Sequence, residues 1–207
     1  GTVNMLWHCE KMPVKKMVFV SSSMIYGDYV DGTKENADTK PTNLYAEAKI
    51  TAERFVKHYQ NHFGVDYSIV RPSGVYGPGD MDDRVLSKFF TQAMKNETIE
   101  VHDGNNKVDF THVDDTADGI IKATLSESKN MSFNITAGRA ITLREAAEKV
   151  IKLTGSDSKI VDTGAQKLYP KRGTLDISRA KKILGYTPTT AFEHGLEEYH
   201  EWLQNKI

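Results

Sequence analysis

The sequence predicts an α/β fold: a partial parallel sheet with a small C-terminal α/β lobe. Two observations carry this. Met17-Val18-Phe19-Val20 and Tyr67 to Val70 are short apolar runs with the look of strands buried in a parallel sheet. Strand-like and helix-like segments then alternate along the chain, which indicates an α/β sheet rather than separate all-α or all-β domains.

Residues 2–12 read as a helix, with Val3, Leu6 and Trp7 at helical spacing, and Pro13 stops it. The strand at 17–21 ends in small polar residues, and residues 28–42, with Gly32 and Pro41, form a loop. A helix from about Asn43 to Phe63 ends at Gly64, and the strand from Tyr67 is closed by Arg71-Pro72. The Gly/Pro loop GVYGPGD spans 74–80, and a helix over roughly 83–96 has Asp82 or Asp83 near its N-cap. Strands at 99–102 and 107–111 precede a helix near Asp114, capped by Asp114-Asp115 with His112 hydrogen-bonded beside them. Phe133-Asn134-Ile135 is a strand, Thr142 caps a helix that Gly155 terminates, and Lys159 to Val161 forms one more strand. Helices near 178–184 and 191–204 close the chain.

The 207 residues are 39 % hydrophobic, enough to fill a core. Lys plus Arg is 27 and Asp plus Glu is 28, for a net charge of −1, with no block of like charge. This balance argues against a dedicated nucleic-acid or membrane-surface protein. The single cysteine, Cys9, rules out an internal disulfide and fits a reducing, cytoplasmic setting. No apolar run is long enough to span a membrane, and no signal peptide is visible.

The chemistry concentrates in Ser21-Ser22-Ser23-Met24-Ile25-Tyr26-Gly27 and Tyr45-Ala46-Glu47-Ala48-Lys49. Residues four apart share a helix face, so Tyr45 and Lys49 present a phenol and an ammonium to one side. A phenol is a poor base at neutral pH, and a fixed positive charge beside it favours the phenolate. Ser22 stands at a strand end, where open parallel sheets bind ligands, and its hydroxyl can orient a substrate oxygen. Alone, the Tyr/Lys pair fits better an ordinary amphipathic helix with Tyr45 half buried and Lys49 solvated. The Ser-rich strand end, Glu35 and Pro41 in the loop, and the later RPSGVYGPGD make an ordered set with it.

That set resembles the extended short-chain dehydrogenase/reductase family, in its NAD-dependent nucleotide-sugar epimerase/dehydratase branch of the UDP-glucose 4-epimerase type. The likeness extends over VDFTHVDDTADGI, FNITAG and ILGYTPTTAFEHGLEEYHEWL, and so covers essentially the whole chain. It implies a Rossmann-type sheet, with Ser22 as the catalytic Ser/Thr (Ser23 competing), Tyr45 as acid/base, and Lys49 on the nicotinamide ribose. Ser21, Pro72 and Ser73 would lie at the cofactor; Ser23, Met24, Tyr76, Arg84, Lys107 and Arg172 at the substrate. NAD or NADP, a nucleotide-sugar and a homo-oligomer are the implied cofactor, substrate and assembly. Residues 1–73 with part of 74–135 would be a remnant of the dinucleotide-binding domain, and 74–110 with 136–207 mostly the substrate lobe.

Departures from the family pattern narrow the expectation. Ser23-Met24 stand where the family's 4,6-dehydratases carry Asp-Glu, and related decarboxylases carry Glu at the position of Met24. Methionine moves no proton, which leaves epimerisation through a keto intermediate or a ketone/alcohol oxidoreduction. Val108, preceded by Lys107, stands where an arginine commonly grips the substrate diphosphate, and Arg172 matches the second such arginine.

A dinucleotide fold needs a Gly-rich turn after its first strand. Gly74, Gly77 and Gly79 do not fit that role, because Pro78 removes an N–H donor and Asp80, Asp82 and Asp83 would repel phosphate. Ahead of Ser22 there is room for one helix and one strand only, so most of the cofactor-binding half is expected to be absent and the chain alone inactive. The alternative is a non-catalytic binding module of the same fold. The strand at 17–21 then becomes an edge, hidden by self-association or rearrangement.

Weaker signals point elsewhere. His58 and His62 read as a solvated helix face, and His8-Cys9 as no metal pair, so no metal site is expected. Trp7 and Trp202 read as packing residues.

Overall fold

The computed structural model describes residues 1–165 and 169–206. In chain order its first half runs α1 (Thr2–Lys11), β1 (Met17–Val20), a 3-10 turn (Ser23–Tyr26), α2 (Leu44–Phe63), β2 (Tyr67–Pro72), β3 (Val75–Tyr76) and α3 (Val85–Met94). Then come β4 (Ile99–Val101), β5 (Lys107–Val108), β6 (Thr111–His112), α4 (Val113–Leu125), β7 (Met131–Ile135), β8 (Ile141–Thr142), α5 (Leu143–Thr154), β9 (Ile160–Asp162), α6 (Ser178–Leu184) and α7 (Phe192–Lys206).

The main sheet is parallel, in the order β1-β2-β7, with Phe19 beside Ile69 and Val70 beside Phe133. β2 and β7 are largely buried because helices cover both faces. Leu6, Val56, Val65 and Ile69 fill the layer under α1 and α2. Val70, Phe133, Ile135, Ala180 and Tyr186 fill the opposite layer, against α4 and α6. Among the described residues β1 pairs only with β2, and Val20 is exposed at this edge, as the sequence leads one to expect.

A second core gathers Phe89, Phe90, Val101, Val108, Val150, Leu196 and Tyr199 between α3, α5 and α7. Three short strand pairs border it: β3 with β6, β4 with β9, and β5 antiparallel to β8.

Three local expectations change. The strand expected at 107–111 divides into β5 and β6, because Asp109 between them turns fully inward and its carboxylate accepts from Thr136 Oγ1 at 3.0 Å. The N-cap of α4 is His112, whose ring Nδ1 accepts from the Asp114 N–H at 3.4 Å; Asp114 and Asp115 lie in the first turn. Asp115 instead accepts from the Thr189 and Thr190 N–H groups at 2.8 and 3.0 Å. The N-cap of α3 is Arg84, without a side-chain capping bond, directly after Asp82 and Asp83 as expected. Trp202 packs on the second core, but Trp7 is 49 % exposed on α1, with Lys11 Nζ 5.0 Å from its ring.

Candidate active site

The site begins where β1 and β2 end side by side. The Ser21 N–H bonds to the Val70 carbonyl at 2.8 Å, which carries the parallel pairing one residue past the strand. Ser22 then caps the 3-10 turn, its Oγ accepting from the Met24 N–H at 3.2 Å. Ser21, Ser22, Ser23 and Ser73 are all buried, and the Oγ atoms of Ser21 and Ser73 have no hydrogen-bond partner. Buried hydroxyls at strand ends without partners are unusual and suit a polar ligand. Pro72 is half-buried at the end of β2, and Met24 is half-buried in the turn.

Helix α2 brings the phenol and the amine. Asn43 Oδ1 accepts from the Ala46 N–H at 2.9 Å and so caps the helix that starts at Leu44. Lys49 Nζ donates to the Val20 carbonyl at 2.8 Å and sits 5.7 Å from the centre of the Tyr45 ring. The structure thus joins Lys49 to the end of β1, two residues before Ser22, with Tyr45 one helical turn away and 54 % exposed.

A buried network fixes α2 against the sheet. Arg71 on β2 donates to Glu53 on α2 through Nε at 2.9 Å and Nη2 at 2.6 Å. Arg71 Nη1 also donates to the Tyr26 hydroxyl and the Glu35 carbonyl, each at 2.8 Å. Tyr26 donates onward to Asn134 Oδ1 at 2.8 Å, and burial pushes its phenol up to about 12. The Glu35 carboxylate accepts from the Asn134 N–H at 3.0 Å, so the loop at 28–42 is pinned over the ends of β2 and β7.

Beside this lies a cavity of about 570 Å³, lined by Tyr29, Asp31, Asn106, Lys107, Lys171 and Arg172 among others. Sequence reasoning assigned Lys107 and Arg172 separately, and the structure brings both to this cavity. Lys107 Nζ pairs with Asp31 at 3.0 Å, and Asn106 Oδ1 accepts from the Arg172 N–H at 3.1 Å. Burial pulls the Arg172 guanidinium down, and its Nε is buried without a hydrogen-bond partner. A cation desolvated in this way at a cavity wall suits an anionic ligand. Gly173 lets the chain pass close to the 28–42 loop: a Cβ there would meet the Val30 carbonyl carbon and Asp31 N at 2.5 Å.

Tyr29 lines the cavity, and its hydroxyl faces those of Ser73 and Ser23, so it connects the cavity to the strand ends. Burial pushes its phenol up. Sequence reasoning missed Tyr29, Asp31 and Asn106; the one available signal was an aromatic residue inside a polar loop.

Two residues expected at the substrate, Tyr76 and Arg84, stand apart from this cavity. Tyr76 is 2 % exposed, packs on Phe110, His112 and Phe192, and donates to the Phe192 carbonyl at 3.3 Å, because its two-residue strand turns it into the second core. Arg84 stands at the start of α3, 4.0 Å from Asp80, and does not line the cavity. Gly74 and Gly77 press on the lobe rather than facing an open anion site. A Cβ at either would collide with Val108 or with Val113 and His112.

The model of the NAD dependent epimerase/dehydratase family matches residues 1–136. A UDP-glucuronate 4-epimerase of Thermodesulfobacterium geofontis is 32 % identical over 100 % of the chain and 65 % of its own length. An uncharacterized protein of Methanocaldococcus jannaschii is 29 % identical over 100 % of the chain and 64 % of its own. The chain therefore spans just under two thirds of these curated relatives. Among solved structures, a UDP-glucose 4-epimerase from Thermotoga maritima with UDP-glucose superposes with a TM-score of 0.93 at 27 % identity, covering 99 % of this chain and 68 % of the other. MoeE5 in complex with UDP-glucuronic acid and NAD gives a TM-score of 0.94 at 26 % identity, covering 100 % and 70 %.

Proposed function

Because the chain belongs to the NAD dependent epimerase/dehydratase family, we propose that it is the catalytic and substrate-binding part of an NAD(P)-dependent epimerase or ketone/alcohol oxidoreductase acting on a nucleotide-sugar. The observation that carries this reading is the junction at the end of β1. There Lys49 is bonded to the Val20 carbonyl, with Tyr45 on the same helix face and Ser22 two residues on.

In this reading Tyr45 takes the proton from a sugar hydroxyl as it becomes a ketone, and returns one when the ketone is reduced. The Lys49 ammonium favours the phenolate that forms between these steps. The Ser22 hydroxyl donates to the same sugar oxygen and holds it in line with Tyr45. The unpartnered Ser21 and Ser73 hydroxyls, with Pro72, fit the nicotinamide end of the cofactor. Bound there, the nicotinamide supplies the hydride chemistry. Arg172 and Lys107 take the diphosphate, and Tyr29 lies between it and the reacting sugar.

Titration calorimetry of the 207-residue chain with UDP and with NAD tests this reading. UDP binding is expected to weaken at least about tenfold in Arg172→Met, since one charge-assisted contact is worth that much. In any NAD-competent form, Tyr45→Phe is expected to lower turnover by orders of magnitude and leave UDP affinity unchanged. UDP affinity indifferent to Arg172→Met would remove the cavity assignment, and near-normal turnover in Tyr45→Phe would remove the base.

A further inference from the structure

The cavity beside the strand ends carries an anion of the chain's own. Asp31 Oδ2 lies 3.0 Å from Lys107 Nζ, and both residues line the cavity. Their side chains are 58 % and 42 % exposed, so this ion pair is open to solvent and to a ligand. Arg172, on the same cavity, keeps its Nε without a hydrogen-bond partner. Of the two cations assigned to an anionic ligand, one is therefore already paired within the chain and the other is not.

The backbone sets the position of Asp31. Its Oδ1 accepts from the Thr174 N–H at 2.8 Å. Around it, residues 28–33 and 171–176 are laced together. The Tyr29 N–H donates to the Lys171 carbonyl at 2.9 Å, the Gly32 N–H to the Thr174 carbonyl at 3.0 Å, and the Asp176 N–H to the Thr33 carbonyl at 2.9 Å. The Lys171 N–H donates to Asp28 Oδ1 at 2.8 Å. Gly173 permits this closeness, since a Cβ there would stand 2.8 Å from Asp31 Oδ1. One carboxylate oxygen is thus fixed by a backbone donor while the other is presented to Lys107. An exposed ion pair is usually weakened by the cost of ordering two long side chains, and here one partner is ordered in advance. Lys107, and then the Thr174 N–H, hold the Asp31 carboxyl below its usual range, so it is ionised at neutral pH.

We propose that Asp31 is an affinity-setting residue of this cavity, a built-in carboxylate that competes with the ligand's diphosphate for the Lys107 ammonium. The proposal rests on the reading of the cavity as the diphosphate site. An ammonium has donors for more than one acceptor, but two anions that share it stand close enough to repel each other. A ligand that gains Lys107 therefore weakens the Asp31 pair. Affinity for a diphosphate is held below what Lys107, Lys171 and Arg172 would give unopposed. A singly charged anion gains little at Lys107, because it displaces a carboxylate of equal charge. A residue that merely shaped the cavity would weaken binding when changed; a competitor strengthens it when its charge is removed.

Calorimetric titration of the full chain with UDP tests this by comparing the parent with Asp31→Asn. Asparagine keeps an oxygen for the Thr174 N–H and removes the charge. UDP affinity should rise about two- to fivefold at low salt, the span an exposed ion pair is worth, and the gain should shrink as salt is added. In a Lys107→Met background, where Arg172 still meets the anion, Asp31→Asn should gain clearly less. Asp103→Asn makes the same change of charge on the same cavity, at a residue whose φ of +56° suits asparagine. It should raise UDP affinity less than Asp31→Asn does. Unchanged or weaker binding in Asp31→Asn overturns the competition, as does an equal gain in the Lys107→Met background or in Asp103→Asn. UDP affinity that falls in Arg172→Met but is indifferent to Asp31→Asn removes the competitor and keeps the cavity assignment. Absence of UDP binding in both the parent and Asp31→Asn removes both.

Discussion

Arg71 and Glu53 face each other through two parallel hydrogen bonds of 2.9 and 2.6 Å, with both side chains removed from solvent. The pair joins the middle strand of the main sheet to α2, two turns beyond Tyr45. Removing one partner leaves the other charge buried and uncompensated, which costs about 3–5 kcal/mol. Glu53→Gln should therefore lower the urea midpoint by that equivalent. A change below about 1 kcal/mol would mean that Tyr26 and Glu35 alone satisfy the guanidinium.

Asp109 gives the fold a pH dependence of definite sign. Burial pushes its carboxyl from 3.8 up to about 7, against the pull of its bonds to Thr136 and nearby backbone N–H groups. Between pH 4 and 7 the folded chain holds a proton that the unfolded chain has released, so this residue's contribution to stability falls as pH rises through that window. Above pH 7 the loss is complete. Asp109→Asn should flatten the profile and gain relative to the parent at pH 8. Urea titrations at pH 5 and pH 8 read the difference; identical slopes in parent and variant would show that Asp109 stays ionised.

How much of this was legible in the sequence depends on the range of each interaction. α2 is bounded by Asn43 and Gly64, both local signals, and the four-residue spacing of Tyr45 and Lys49 is itself helix geometry. The Lys107–Asp31 pair joins residues 76 apart, and the Arg172–Asn106 bond residues 66 apart. No periodicity records such meetings. Asp109 breaks a strand pattern because an inward carboxylate mimics a solvent-facing one. His112 hides as a cap because a ring nitrogen seldom takes that role. Tyr76 reads as a site residue beside a Gly/Pro loop, yet a two-residue strand aims it inward.

Besides the edge at β1, several large apolar side chains are exposed: Val3, Met5 and Trp7 on α1, Met12 just after it, and Val20 on β1. Exposed apolar residues and a strand open on one side favour association. Sedimentation velocity should show a concentration-dependent dimer, and Met5→Glu/Trp7→Glu should shift it toward monomer without lowering the urea midpoint. A parent chain that stays monomeric at high concentration would refute self-association through this face.

Gly27 closes the 3-10 turn that carries Ser22 and Ser23, with φ +69° and ψ −132° and its N–H on the Met24 carbonyl at 3.2 Å. A Cβ there would stand 2.0 Å from the Lys40 carbonyl oxygen, so alanine meets rigid backbone as well as an unfavourable dihedral region. Gly64 offers a matched control. Its φ is +70°, it lies in the left-handed region at the end of α2, and nothing stands within 4 Å of an added Cβ. Gly64→Ala should cost about 1–2 kcal/mol, the dihedral penalty alone. Gly27→Ala should cost more, because the turn must also separate from the segment around Lys40, and that displacement moves the Ser22 hydroxyl relative to Tyr45. Urea unfolding of the two variants side by side measures the excess. Equal losses would mean that the Lys40 segment yields without cost and does not set the position of the turn.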